Sequence, residues 1–298
     1  MKVPLRKTIN FLLIVLPMAA MITAAVPYVR RSADKVIDNL HEIISHEASA
    51  RLGCDAKVEK AVVRNIGRVA LYDVTVAAKD KSNKNKMRFG RIDVKYNWRN
   101  LIKTRKLSEL KITEIDIVRP ELDIDNDVMK MFTLPKSEKS EPFKAPVKVI
   151  DGDIKFFDKA KNTRFDLSDV YATLMGTDDG WYFDFKAKNN DSKVDVIALE
   201  GIASAGKTFS LDGRASLRNA DLVFAKNYFN ILPTFKLTSG RSDTFVSVSV
   251  KPVGNKLVYE YDSTSAVRNG TLRLPGFNET LTKISGNVYV GNGIVQTD

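Results

Sequence analysis

Gly201-Ile202-Ala203-Ser204-Ala205-Gly206-Lys207-Thr208 has the residue types and spacing of a phosphate-binding P-loop. Such a loop works only between a buried strand and a helix, whose N-terminus and backbone N–H groups hold the phosphates. Val194 to Leu199 could supply the strand. After Thr208 comes Phe209-Ser210-Leu211-Asp212-Gly213, which alternates and then meets a glycine, the pattern of a second strand. No later apolar run ends in an aspartate suited to magnesium. The match is therefore expected to be a β-turn, and a P-loop nucleotide enzyme stands only as a remote alternative.

The other candidates for chemistry are weaker. Asp123, Asp125 and Asp127 open like a calcium loop, but the sixth and twelfth positions, which need Gly and Glu, hold Val128 and Leu134. His41 and His46 are five apart, not the four of a helical zinc pair, and no other histidine exists. A Ser-His-Asp mechanism has little to draw on. Cys54 is the sole cysteine, which rules out an intrachain disulfide. The expectation is a non-enzyme with no catalytic residues, metal or cofactor.

A net charge of +11 asks for an anionic partner, a membrane surface or nucleic acid. The positive charges are spread along the chain among Asp and Glu, which favours a solvated surface and no nucleic-acid partner. Asn97 to Lys106 mixes Arg99, Lys103, Arg105 and Lys106 with Trp98, Leu101 and Ile102. Such a mixture suits either anionic headgroups or a solvated loop with a packed Trp.

The elements that would position any site obey one rule. Ile150-Asp151-Gly152-Asp153-Ile154-Lys155-Phe156 reads apolar, any, Gly, any, apolar, any, apolar. Leu211 to Leu217 and Ile284 to Val290 repeat it, and Arg268 to Leu274 and Leu199 to Ala205 are looser copies. Each predicts a strand with one apolar face. The copies are unevenly spaced, so no fixed-period array is expected.

Five segments are expected in order. Residues 1–31 form a transmembrane anchor: Phe11 to Val29 carries no charge and is nearly long enough to cross a bilayer. Its membrane-facing residues include Phe11, Leu12, Leu13, Ile14, Val15, Leu16, Ile22 and Val26. The competing reading is a signal peptide cleaved after Thr23-Ala24-Ala25. Residues 32–53 form an amphipathic helix with Val36, Ile37, Leu40, Ile43, Ile44 and Ala48 on one face and Gly53 as C-cap, covering the first edge of a sheet or lying on the membrane. Residues 54–128 are a first β segment, in which Arg119-Pro120 marks an edge, bulge or strand start. Residues 129–147 are a linker with Pro135, Pro142 and Pro146, and 148–298 a second β segment continuing past Asp298. Ala220 to Leu232 is the one place for another helix. The fold class is mainly β: an anchor and an amphipathic helix, then an extended, curled antiparallel sheet, a repeating β-groove.

An ordered set of short motifs resembles the AsmA-like superfamily. They are Arg91 to Ile102, Ile115 to Ile124, the Ile150 to Phe156 motif, Val267 to Leu272 and Ile284 to Val288. The resemblance implies a periplasmic β-groove tethered to the bacterial inner membrane as a single-pass protein. It implies phospholipid transport between inner and outer membranes, or assembly of outer-membrane β-barrel proteins by strand templating at the sheet edge. It also implies a longer protein with an outer-membrane partner of the Omp85 type.

In that reading Ile92, Val94, Tyr96, Leu122, Ile124, Ile154 and Phe156 line the lipid path, because each set shares one strand face. Asp93, Lys95, Asp123 and Lys155 alternate with them and are expected to point away and to tolerate charge reversal.

Overall fold

The computed structural model describes residues 39–298 apart from 66, 98–111, 133–143, 179, 192, 206–208, 230–235, 254–255, 274–275, 277–278, 292–293 and 298. The anchor expected over 1–31 lies outside these residues, and among them no helix is long and apolar enough to cross a membrane. The chain is mainly β and divides into two compact units, Met1–Gly176 and Thr177–Asp298.

In the first unit, α1 (Leu40–Leu52) precedes β1 (Asp55–Asn65), β2 (Arg68–Ala77), β3 (Lys86–Tyr96), β4 (Ile112–Asp125), β5 (Val147–Asp158) and β6 (Thr163–Gly176). Helix α1 is the described part of the expected amphipathic helix. Leu40, Ile44, Ala48 and Leu52, four apart, are buried, and Ile43 is half-buried. Gly53 ends it in the left-handed conformation, its N–H donating to Ser49 O.

Consecutive strands pair along β1 to β6, antiparallel where their register is resolved except at one place. β4 and β5 run parallel, with Ile115 beside Val147 and Asp125 beside Phe157. This corrects the all-antiparallel expectation. A parallel pair needs a long crossover, and the proline-rich stretch between Asp125 and Val147 provides one. It opens with a 3-10 turn, Val128–Met131, and connects paired strands of one unit.

The alternation of β2, β4, β5 and β6 slips once each, at Asp73, Arg119, Asp151 and Asp169, all with φ between 48° and 58°. A left-handed residue inside a strand turns the next side chain back to the same face, as in a β-bulge. Apolar residues are thereby buried on both sides of the slips in β2 and β4, Leu71 and Val74, Ile117 and Pro120, and Phe89 and Ile92 of β3 between them keep the same spacing. The slips line up across the sheet, since Tyr72 and Val74 of β2 pair with Arg91 and Phe89 of β3, which pair with Val118 and Pro120 of β4. Pro120 thus sits within a strand at a bulge, where a missing N–H is tolerated. Gly152 is buried beside it, and a Cβ there would meet Pro120 Cγ at 2.8 Å.

The second unit holds β7 (Trp181–Asn189), β8 (Val196–Ala205), β9 (Phe209–Asp221), α2 (Leu222–Phe229), β10 (Lys236–Val253), β11 (Lys256–Arg273), β12 (Thr280–Gly291) and β13 (Ile294–Thr297). Its strands are antiparallel meander neighbours. Helix α2 falls where a second helix was expected. Asp221 caps it by accepting a 2.8 Å bond from the Phe224 N–H. Left-handed Asn219, Gly240, Asn269 and Lys283 repeat the line of slips across β9 to β12.

Candidate functional site

The seven proposed lining residues fall in two groups, one on either side of the slips of the first unit. Ile92 and Val94 pair with Ile117 and Ile115, and Tyr96 with Ile112. Leu122 pairs with Ile154, and Ile124 with Phe156. Phe156 also stacks on Phe165 at 6.4 Å. Ile92, Val94, Leu122, Ile124 and Ile154 are 2–7% exposed, while Tyr96 and Phe156 are half-buried. This apolar face is buried except at Tyr96 and Phe156.

The face of the second unit is differently exposed. Cross-strand register joins Phe183, Gly201, Gly213, Val248 and Tyr261 in one row and Phe185, Leu199, Ala215, Val246 and Ser263 in the next. Phe183, Leu199, Val246 and Val248 are only half-buried, and Tyr261 is 43% exposed. Sequence reading placed Leu199 and Ala215 in patterned strands but assigned none of these residues to a lipid path. The signal was present as plain alternation in each strand, but alternation does not tell a covered face from an open one.

Gly201 and Gly213 are register partners across β8 and β9. The Phe183 ring lies against both, its Cζ 2.9 Å and 3.6 Å from where their Cβ atoms would stand. Space for the ring and for the Gly213 backbone explains the first glycine of the P-loop pattern. β9 runs antiparallel to β8, with Ser204 beside Ser210, so a strand stands where a phosphate-binding helix would be needed. Lys207 lies outside the described residues.

The opposite face of the first unit is a charge lattice. Asp93 is fully buried and takes Arg68 Nη2 at 2.8 Å and Arg91 Nε at 2.9 Å. Its register partner Asp116 takes Lys95 Nζ at 3.0 Å, and Glu114 takes Lys148 at 2.6 Å and Lys95 at 3.1 Å. The Lys148 ammonium, then Lys95, holds the Glu114 carboxyl down at about 2. Asp116, then Glu114, raises Lys95. The expectation that Asp93 tolerates charge reversal is thus corrected: it points away from the apolar face but is sealed under two guanidiniums. Asp123 and Lys155 are exposed as expected.

Asp125 and Asp127 hold a lysine where the calcium reading needed a cation: Lys159 Nζ lies 2.7 Å from Asp125 and 2.8 Å from Asp127. Asn85 braces Asp125, its Oδ1 accepting the Asp125 N–H at 2.6 Å. Among the described residues no group of three His, Cys, Asp or Glu is placed to hold a metal. Cys54 is buried, and desolvation pushes its thiol up to about 11, which makes it unreactive. On the polar face of the second unit a shallow groove of about 550 Å³ runs past Tyr182, Glu200, Asp212, Arg214 and Asp262. The described side chains offer apolar surface and charge.

No protein-family model matches the chain, and no curated protein matches it.

Proposed function

We propose that the chain is a membrane-anchored β-sheet protein that binds phospholipid and passes it between the inner and outer bacterial membranes, its body in the periplasm. In family terms the reading is AsmA-like, closest to TamB, the inner-membrane subunit of the translocation and assembly module. The observation that carries it is the half-exposed apolar face of the second unit, from Phe183 through Leu199, Val246 and Val248 to Tyr261, with Phe185 buried beneath it. Each CH₂ kept from water is worth ~0.8 kcal/mol, so a sixteen-carbon chain gains on the order of 13 kcal/mol from such shelter. No chemistry is needed. The uncharged Phe11 to Val29 run supports a bilayer location.

Strand templating for outer-membrane proteins has less support at the β1 edge, where Ser45 and Ser49 of α1 already bond the backbone of Val58 and Ala56. The test is photo-crosslinking in cells from Val246 and from its neighbour Ser247, which points to the other face. Phospholipid adducts are expected from Val246 and not from Ser247. Equal adducts, or none from Val246, would sink the lipid path.

A further inference from the structure

The charge lattice of the first unit is layered. Cross-strand register puts Lys60 and Tyr72 side by side, then Arg68 beside Lys95, and Asp116 beside Lys148, all on the face opposite Ile92 and Ile117. Arg64 lies over the Tyr72 ring at 5.8 Å on the same face. Side-chain exposure is 31–44% for Arg68, Arg91, Lys95 and Lys148, against 0–22% for Asp93, Asp116 and Glu114. Lys60 and Arg64 are exposed outright. The carboxylates form an inner layer, and the cations stand outside it. Six cations against three carboxylates, with the cations outermost, therefore present a positive surface to anything approaching. Asp93, Asp116 and Glu114 hold the inner ends of these side chains in place, while the guanidinium and ammonium rims stay available.

From this we infer that one part of the β1–β5 polar face, between the slips and the β1–β2 turn and carrying Lys60, Arg64, Arg68, Arg91, Lys95 and Lys148, docks on an anionic lipid surface. Beyond the slips, by contrast, exposed Glu121 and Asp123 stand among Arg88 and Lys155. The inference rests on the anchored reading above. Between Val29, the end of the uncharged run, and Leu40 of α1 lie ten residues, which reach at most about 35 Å. A bilayer is thus the one extended anion that the tether keeps within reach of this face. Cations near such a surface are attracted within about a Debye length, ~8 Å at physiological salt. Docking here would fix how the first unit sits on the membrane and leave its apolar face turned away from the headgroups.

The full chain is reconstituted in nanodiscs of phosphatidylcholine alone or with phosphatidylglycerol, and amine labelling is read by mass spectrometry. Labelling of Lys60 and Lys148 should fall about fivefold in the anionic discs, from the attraction of a single cation for an anionic leaflet. It should recover in 1 M salt, while exposed Lys251 of the second unit stays unchanged. Lys60→Glu should weaken the protection of Lys148 without changing the circular dichroism spectrum. Equal labelling in the two discs, or equal protection of Lys251, overturns the proposal. Protection by duplex DNA but not by anionic discs would make this a nucleic-acid surface and equally overturn it. A chain that enters neither disc overturns the anchor, and this inference with it. The lipid path is read separately at Val246.

Discussion

The Ser49 hydroxyl accepts the Ala56 N–H at 2.9 Å and lies 3.0 Å from the Ala56 carbonyl, to which it donates. One turn earlier Ser45 accepts the Val58 N–H at 2.8 Å while donating to His41 O. Residues four apart on a helix thus meet residues two apart on a strand, and two hydroxyls stand in for the missing neighbour of β1. Replacing Ser49 by Ala leaves an N–H and a carbonyl of Ala56 without partners under the helix. The expected loss is about 1–3 kcal/mol. Hydrogen exchange at Ala56 should quicken, with the centre of β4 unchanged; an unaltered Ala56 amide would show that water replaces the hydroxyl.

Asp93 sits under Arg68 and Arg91 with no exposed surface. Asp93→Ala leaves two cations facing each other over a buried site and should cost about 3 kcal/mol. Lys155→Glu, at an exposed strand position, should stay within ~0.5 kcal/mol. Urea unfolding midpoints of the two variants make the comparison, and similar shifts would contradict the layered lattice.

Lys148, with Lys95, depresses the Glu114 carboxyl from 4.5 to about 2, and Arg268 and the Asn219 N–H depress Asp243 from 3.8 to about 2. A folded-state value below the unfolded one contributes stability that is complete above the unfolded value. It is lost as pH falls through the folded value. Stability should therefore hold down to about pH 5 and fall between there and pH 2. Lys148→Met should raise the Glu114 titration midpoint, followed by carboxyl carbon NMR, and shrink this acid sensitivity. A Glu114 midpoint that stays near 2 in the variant would remove Lys148 as its cause.

A methyl on Gly201 would meet the Asp212 carbonyl and come 2.7 Å from Gly213 Cα, whereas one on Gly213 has nothing nearer than the Glu200 carbonyl at 3.2 Å. Gly201→Ala should destabilise by about 1–3 kcal/mol and Gly213→Ala by less. The hairpin geometry further predicts that ATP and GTP leave the melting temperature of the wild type unchanged, and that Lys207→Ala is silent in function. A micromolar nucleotide affinity abolished in Lys207→Ala would restore the P-loop.

Strand character was legible in the sequence because side chains alternate with period two whatever surrounds them. The strand over Ile150 to Phe156, the Gly53 cap and the helix after Ala220 were legible for such local reasons, although the slip at Asp151 sets Ile150 on the face opposite Ile154 and Phe156. The anti-P-loop reading of Gly201 to Thr208 needed only the alternation from Phe209 onward. Three features depended on partners distant in the chain. The parallel pairing of β4 with β5 depends on where the crossover returns, which a proline-rich composition does not specify. The slips at Asp73, Arg119, Asp151 and Asp169 are visible in the sequence only as a change in spacing. It takes the neighbouring strands to show that they align and keep one face apolar. Asp93 looks in the sequence like any outward charge between Ile92 and Val94. Its burial comes from Arg68, twenty-five residues earlier, and from Arg91 on its own strand, which cover it only once β2 and β3 are paired. Periodicity assigns a side chain to a face; what covers that face is decided by tertiary contacts, and they leave the second unit's apolar rows half open while burying those of the first except at Tyr96 and Phe156.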